Sequence, residues 1–215
     1  MRIAIAGGHG QIALLLARQL VDSGHEPVNI VRNPAHGDEV NATGATTIVL
    51  DLEQATSSEL AAQLDGVDAV VFAAGAGPGS TAERKLTVDR DGAKLLIEAA
   101  HAAGVTRYVM ISAMGADTFD ANSTEIFQVY LRAKSEADAA LRESALDWTV
   151  VRPGGLTDGP GRGLVKIGRS VERGSIPRAD VAAVVAHCLT RADTIGRQFE
   201  VISGDDPIEA ALASA

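Results

Sequence analysis

Short apolar runs alternate with helical segments along almost the whole chain, and this alternation constrains the fold more than any other feature. The strand-like runs are nearly continuous stretches of Ala, Val, Ile and Leu, whereas the segments between them are amphipathic or rich in alanine. Strands that are apolar throughout are typical of parallel sheets whose two faces are both covered, and their crossover connections are right-handed. We therefore predict an α/β fold, a doubly wound parallel sheet with helices on both faces.

The same pattern places the elements along the chain. Strands are predicted at Ile3–Ala6, Val28–Val31, Thr47–Leu50, Ala69–Ala73, Tyr108–Ser112, Trp148–Arg152 and Phe199–Ile202. Helices are predicted at Gln11–Ser23, Ser57–Leu64, Thr87–Ala103, Thr124–Ser144 and Ala179–Thr190. Long loops rich in glycine and polar residues are predicted at Gly75–Glu83, Ala113–Ser123 and Gly154–Arg178. The 215 residues fit one domain, in which about residues 154–178 form a small substrate-binding elaboration.

Composition and charge argue against several classes of function. The formal net charge of −9 disfavours nucleic acid as a partner, because phosphate binding needs a basic face. The single cysteine, Cys188, lies in an apolar run and is expected to be a buried core residue. The five His residues lack ligand spacing, so we expect no metal site. We also find no signal-peptide layout and no apolar run as long as a membrane span, so we expect a cytoplasmic protein with no membrane partner.

The first predicted strand runs into a Gly-Gly-His-Gly turn that opens the first helix. The pattern Gly7-x-x-Gly10-x-x-Ala13 lies between strand and helix, which is the context that the dinucleotide-binding fingerprint requires. Gly7 would make the tight turn, and Gly10 would let the backbone approach a pyrophosphate. The N–H groups of Gln11 and Ile12 would then donate to the phosphate oxygens. The sequence thus predicts a Rossmann-type dinucleotide site in which Ala13 replaces the third glycine.

The residue after the second strand decides which cofactor fits. An NAD site places Asp or Glu there to bind the ribose 2′-hydroxyl, whereas this strand, Val28–Val31, is followed by Arg32 and Asn33. Arg32 can pair with a 2′-phosphate, and we expect no acid to compete for it. We therefore expect NADP(H), with NAD as the less favoured cofactor. The alternative is that Arg32 is a solvated residue at a strand end.

The ends of the neighbouring strands supply further predicted contacts to the cofactor. Asp51, after the third strand, could accept from the adenine amino group or could cap a turn. Ala73, Ala74 and Gly75, after the fourth strand, offer a floor of small residues for the cofactor. The full set of contacts predicted from this half of the chain is Gly7, His9, Gly10, Gln11, Ile12, Arg32, Asp51, Leu52, Ala73, Ala74 and Gly75.

A later helix carries the pair Tyr130-x-x-x-Lys134, a candidate for acid–base chemistry. Residues four apart share one helix face, so both side chains project to the same place. A neighbouring ammonium favours the phenolate and would bring the pKa of Tyr130 down from about 10, toward the range of general acid–base catalysis. Ser112, at the end of a predicted strand, lies where its hydroxyl could bind a substrate oxygen beside Tyr130, or where it satisfies its own turn.

Taken together, these motifs resemble a known family. The stretches GGHGQIA, VFAAGAG, VDRDGAKLLIEAA, YVMISAMGA, YLRAK and VVRPGGLTD occur in this order over about residues 1–205. The order resembles the atypical branch of the short-chain dehydrogenase/reductases, the small NAD(P)-binding proteins described as NAD-dependent epimerase/dehydratase-like or NmrA-like.

The resemblance implies roles for individual residues. It implies a Ser–Tyr–Lys catalytic group carried by Ser112, Tyr130 and Lys134, with Lys134 also bonded to the nicotinamide ribose. It implies a backbone segment at the nicotinamide carboxamide, formed by Pro153, Gly154, Gly155 and Leu156. Asp89 stands where the superfamily usually has an Asn that supports a water relay. An ionised carboxylate accepts but does not donate, so a relay through Asp89 is in question.

These expectations leave three functions open. The first is an NADP(H)-dependent oxidoreductase or epimerase-like enzyme that transfers hydride to or from a small carbonyl or hydroxyl substrate. The second is an NADP(H)-binding redox sensor in which Tyr130 and Lys134 only bind. The third is a flavin or quinone reductase in which Tyr130 is dispensable. The sequence identifies no particular small-molecule substrate, and it is compatible with a monomer or a homodimer.

Overall fold

The computed structural model describes residues 1–214 as one large sheet between two layers of helices. The strands are β1 Arg2–Ala6, β2 Glu26–Val31, β3 Thr46–Val49, β4 Ala69–Phe72, β5 Arg107–Ile111, β6 Asp147–Pro153, β7 Gly155–Thr157, β8 Leu164–Gly168, β9 Ser175–Pro177, β10 Arg197–Ser203 and β11 Asp206–Pro207. The α-helices are α1 Gln11–Asp22, α2 Gly37–Asn41, α3 Ser57–Ala62, α4 Ala82–Arg84, α5 Gly92–Ala102, α6 Ile126–Glu143, α7 Arg178–Thr190 and α8 Ile208–Ser214. A π-helix, Lys85–Asp91, joins α4 to α5, and short 3₁₀ turns lie at Pro34–His36 and Ala192–Thr194.

The strand order places a ligand-binding crevice at the first strand. The order is β11-β8-β10-β6-β5-β4-β1-β2-β3, and every neighbouring pair from β10 to β3 is parallel. The chain winds outward from β1 in both directions, toward β2 on one side and toward β4 on the other. Open α/β sheets bind ligands at such a switch point, outside the carboxyl ends of the strands. The turn after β1 and the segment after β4 therefore face each other.

Two apolar clusters cover the two faces of the sheet, as a buried parallel sheet requires. One cluster packs α1, α7 and α8 on one face, and the other packs α3, α5 and α6 on the opposite face. Every residue of β4 is buried, and so is every residue of β5. Cys188 of α7 is completely buried, which confirms its expected place in the core. Burial raises the pKa of its thiol to about 12.

The seven predicted strands and five predicted helices are all present, and the doubly wound sheet is confirmed. The loop predicted at Gly154–Arg178 is wrong in part, because it contains β7, β8 and β9. β7 pairs with β9 in a separate two-stranded sheet, and β8 joins the large sheet antiparallel to β10. Strands of three residues in a glycine-rich stretch carry no usable alternation. The elements α2, α4, β11 and α8 were not predicted either, and α4 begins inside the loop predicted at Gly75–Glu83.

Arg107, the first residue of β5, holds the sheet to α7 through a buried guanidinium. It donates to the carbonyl oxygen of Asp147 at 2.6 Å, to Thr149 Oγ1 at 2.9 Å and to Thr194 Oγ1 at 3.0 Å. It also donates to the carbonyl oxygen of Cys188 at the end of α7. One side chain thus satisfies buried oxygens from β6, α7 and the turn that follows α7.

Replacing Arg107 by leucine should destabilise the fold. Arg107→Leu leaves several buried oxygen atoms without their donor, which should lower the free energy of unfolding by about 3 kcal/mol. Chemical denaturation measures the change. Arg132→Leu is the control, because Arg132 lies on α6 with only a 3.9 Å contact to Glu136 and should change stability by less than about 0.5 kcal/mol. Equal stability of the two variants would contradict the role of Arg107.

Candidate active site

The turn after β1 is built around a glycine in the left-handed region. Gly7 has φ +80°, and a Cβ at this position would lie 2.5 Å from Ala74 Cα, so only glycine fits. Gly8 N donates to the Ile30 carbonyl at 2.9 Å, and Asn29 Nδ2 donates to the Gly8 carbonyl at 2.7 Å. The turn is therefore held against β2 and against the residues after β4 before any ligand binds.

Helix α1 begins directly after this turn without a side-chain cap. Gly10 precedes the helix. No side chain accepts from the first N–H groups of α1, and the first turn of α1 contains no acidic residue. The first bond within the helix is from Leu14 N to the Gly10 carbonyl, at 3.0 Å. The N–H groups of Gln11 and Ile12 precede that bond, where helix amides have no intrahelical partner. This end of α1 fits a phosphate group by its chemistry.

A cleft of about 260 Å³ opens beside the glycine turn. Its walls come from the carboxyl ends of β1, β2, β3 and β4, as expected at a switch point. The structure brings nine of the predicted cofactor contacts together on this cleft: Gly7, His9, Gly10, Arg32, Asp51, Leu52, Ala73, Ala74 and Gly75. Asp51 also fulfils its alternative role, because its Oδ1 accepts from Glu53 N at 3.0 Å in a local turn.

The expectation that no acid competes for Arg32 is wrong. Glu53, two residues after Asp51, lies 3.5 Å from Arg32 Nη1. Glu53 is held more tightly from its other side, by Arg84 Nη2 at 2.5 Å and by Thr87 Oγ1 at 2.6 Å. The hydrogen bond from Arg84 lowers the pKa of Glu53, against a smaller opposing effect of burial. The acid comes from the turn after β3, so the residues around Arg32 in sequence gave no sign of it.

Two histidines stack at the mouth of the cleft. The rings of His9 and His36 are nearly parallel, with centroids 3.6 Å apart, and His9 Nε2 lies 2.7 Å from Glu39 Oε2. His9 was among the predicted contacts, but His36 was missed. The run Arg32-Asn33-Pro34-Ala35-His36 gave a usable signal, since a 3₁₀ turn after the Pro folds His36 back toward the strand end.

Lys134 connects the cleft to Tyr130. Its buried ammonium Nζ lies 3.4 Å from the Ala74 carbonyl and 3.3 Å from the Ile111 carbonyl. The same atom is 5.9 Å from the centroid of the Tyr130 ring. It forms an ion pair with Asp89 of the π-helix at 3.3 Å, and both side chains are almost completely buried. Asp89 Oδ2 in turn accepts from Ala76 N at 3.0 Å, next to the cleft floor.

The expectation that the pKa of Tyr130 is lowered is also wrong, because its pKa is raised overall. Burial of the phenol raises its pKa and is the largest effect. Lys134 acts in the expected direction, but the carboxylates of Asp89 and Asp138 oppose it. Burial also works against the charged form of Lys134, yet attraction to Asp89 and the other groups raises its pKa overall. Tyr130 is therefore a protonated phenol at neutral pH.

Ser112 is buried and belongs to a hydrogen-bond network with α6 and β6. Its Oγ donates to Asp138 Oδ2 at 2.7 Å, which uses the one proton of the hydroxyl. Arg152 pairs with Asp138 at 2.8 Å and with Asp117 at 2.7 Å. Burial raises the pKa of Asp138, although Arg152 and Ser112 act in the opposite direction. Asp138 follows Lys134 by four residues, so helix periodicity could have identified it.

The segment after β6 is largely occupied by its own hydrogen bonds. Gly154 N donates to the Val201 carbonyl at 2.9 Å, and Gly155 N donates to the Gly174 carbonyl at 2.9 Å. The Pro153 carbonyl accepts from Met114 N at 3.0 Å. The expected contacts of Pro153, Gly154 and Gly155 with a carboxamide would therefore have to share or break these bonds. The amide of Leu156, in β7, lies next along the same segment.

Within residues 1–214 no helix is both long enough and apolar enough to cross a membrane.

Comparisons with known proteins show the family of the chain. Residues 7–192 match the family described as NAD(P)H-binding. The chain is 38% identical over 213 residues to a Bacillus subtilis protein named an uncharacterized sugar epimerase, YhfK, and the match covers 99% of each chain. A solved structure from Bacillus halodurans, provisionally named an NAD-dependent epimerase/dehydratase, is 37% identical with a TM-score of 0.91 and full coverage of both chains.

A second solved structure extends the likeness to a protein named for redox chemistry. The oxidoreductase ylbE from Lactococcus lactis is 28% identical, with a TM-score of 0.87 over 100% of this chain and 96% of that one. The matched region contains the glycine turn, the cleft floor and the Tyr130–Lys134 helix. The chain therefore belongs to the NAD(P)H-binding family of Rossmann-type proteins that includes epimerase/dehydratase-like and oxidoreductase relatives.

Proposed function

We propose that this protein is an NADP(H)-dependent oxidoreductase that reduces the carbonyl group of a small molecule, with Tyr130 as the proton donor. One observation carries the proposal: the buried Lys134 ammonium lies between the Ala74 carbonyl on the cleft floor and the Tyr130 ring. An acid–base pair thus borders the cleft that would hold a dinucleotide. The relatives named sugar epimerase and oxidoreductase support a reaction at a carbon that bears oxygen.

The residues of the cleft fit the parts of a dinucleotide. Gly10 lines the cleft, and the uncapped amides of Gln11 and Ile12 that follow it suit the pyrophosphate, although these two residues do not themselves line the cleft. The small residues from Ala73 to Gly75 leave room for the cofactor to cross the sheet edge. Arg32 is half-exposed, and its 3.5 Å contact with Glu53 is too long for a strong hydrogen bond. Its guanidinium is therefore free to turn toward a 2′-phosphate, which supports NADP(H) over NAD.

The protonated state of Tyr130 suits reduction. When bound, NADPH supplies the hydride that adds to the carbonyl carbon. The Tyr130 hydroxyl gives its proton to the carbonyl oxygen, and the phenolate that remains is stabilised by the Lys134 ammonium beside it. Solvent then returns a proton to Tyr130. Ser112 acts as a positioning residue, because its bond to Asp138 holds α6 against the end of β5.

Removing the Tyr130 hydroxyl should lower the rate of reduction without weakening cofactor binding. With a panel of small aldehydes and ketones, Tyr130→Phe should lower the rate of NADPH-dependent reduction by about a hundredfold or more, because the proton donor is lost. Its Kd for NADPH, measured by fluorescence, should not change. Full activity of the variant would contradict the role of Tyr130. NADPH binding by the unaltered protein without turnover of any carbonyl compound would favour a sensor.

Removing the Arg32 side chain should change cofactor preference. Arg32→Ala should weaken NADPH binding by roughly tenfold to a hundredfold, the value of a lost charge-assisted hydrogen bond. NADH binding should be nearly unaffected, since NADH carries no 2′-phosphate. Calorimetric titration with both cofactors provides the measurement. Arg18→Ala, on the exposed side of α1, is the matched control. Equal losses for the two cofactors would contradict the assignment of the 2′-phosphate to Arg32.

Neutralising Asp89 should make Tyr130 easier to ionise. Asp89 raises the pKa of Tyr130 and Lys134 lowers it, so Asp89→Asn removes one of the two carboxylates that oppose Lys134. A pH titration of Asp89→Asn follows the phenolate absorbance, and the same titration of Asp89→Asn/Tyr130→Phe is subtracted to isolate Tyr130. The phenolate of Tyr130 should appear at lower pH than in the unaltered protein. Asp91→Asn is the control, because Asp91 is exposed and paired with Arg90. An unchanged or raised midpoint would contradict this account of the site.

A further inference from the structure

Lys85 is a buried cation that lacks an acidic partner. It opens the π-helix, and only 9% of its surface is exposed. Its Nζ donates to the Gly77 carbonyl at 2.8 Å. No carboxylate oxygen of residues 1–214 lies within 4.0 Å of that atom. An ammonium group has three donors, so this contact uses one and leaves two.

The other buried cations of the described chain are compensated. Lys134 is paired with Asp89, and Arg152 is paired with Asp117 and Asp138. Arg107 has no carboxylate, but its guanidinium donates to five oxygen atoms. A buried charge is costly unless it is paired or fully hydrogen-bonded. Lys85 has one hydrogen bond and a contact with the Tyr130 ring, so it is less fully compensated than the other buried cations.

The position of Lys85 indicates what it would bind. Its Nζ lies 5.3 Å from the centroid of the Tyr130 ring, so the ring is approached by Lys85 from the π-helix and by Lys134 from its own helix. The Phe127 ring lies 6.1 Å from the Tyr130 ring and is 63% exposed. Tyr130 therefore has a cation without a carboxylate partner on one side and the exposed Phe127 ring on another.

We propose that Lys85 binds a carboxylate of the substrate beside Tyr130, so that the substrate is a small carbonyl compound with an acidic group and an apolar body. This inference rests on the proposed function. The carboxylate would supply the missing counter-charge of Lys85, and the apolar body would lie against Phe127. The two remaining donors of the ammonium are enough for the two oxygens of one carboxylate.

The test compares two probes of nearly equal shape. Benzoate carries the anionic group on an aromatic ring, and benzamide replaces it by a neutral amide. Binding of each probe to the NADP⁺-saturated protein is measured by calorimetry or by ligand-observed NMR. We expect the unaltered protein to bind benzoate at least tenfold more tightly than benzamide. Lys85→Met should lose that preference without a change in benzamide binding, whereas Lys85→Arg should retain it.

Controls separate this inference from the proposed function. Lys166→Met, which removes an exposed lysine paired with Glu172, should keep the preference for benzoate. Benzoate binding no tighter than benzamide binding in the unaltered protein would overturn the inference, even if Lys85→Met did not fold. An undiminished preference in Lys85→Met would overturn it as well. Failure to bind NADP⁺ or NADPH would defeat the proposed function, and the same probes on the cofactor-free protein would still decide the role of Lys85.

Discussion

The ion pair between Lys134 and Asp89 is the interaction on which the rest of the site depends. It joins α6 to the π-helix, and its two members also bind backbone atoms of Ala74, Ala76 and Ile111 at the carboxyl ends of β4 and β5. The wider turn of a π-helix is common at functional sites. Breaking such a buried pair leaves a lone charge and costs several kcal/mol. The pair therefore fixes the cleft floor and the Tyr130 helix relative to each other.

The cleft carries positive groups although the protein as a whole is negatively charged. A chain with net charge −9 repels anions at long range, but screening limits that repulsion to about 8 Å at physiological salt. The cleft offers Arg32 and Arg84, with Glu53 partly neutralised by Arg84, and the uncapped amides of α1 begin directly after Gly10 at its edge. The behaviour of the site thus depends on a few close groups. An acidic protein of this kind can hold an anionic cofactor without a basic surface.

The features that could be predicted from the sequence are those that depend on local residue patterns and on the order of elements along the chain. Apolar runs identified the seven parallel strands, and the glycine turn and the small residues after β4 identified the cleft. The errors concern partners that are distant in sequence. Glu53 approaches Arg32 from the turn after β3, and Asp138 of α6 accepts the hydrogen bond of Ser112, which follows β5. The net effect on Tyr130 also depends on burial, which no spacing of residues reveals. Lys85 was missed because its significance lies in the absence of a partner.

The two lysines at Tyr130 have different consequences for proton transfer. Lys134 is held charged and partly neutralised by Asp89, so it stabilises a phenolate once one forms without forcing its formation. If Lys85 binds a substrate carboxylate as proposed, the incoming negative charge adds to the opposition from Asp89 and Asp138. Tyr130 then keeps its proton most firmly when the substrate is in place. That order of events favours proton donation to a carbonyl oxygen over proton abstraction from an alcohol, because the acid is fully protonated when the substrate arrives.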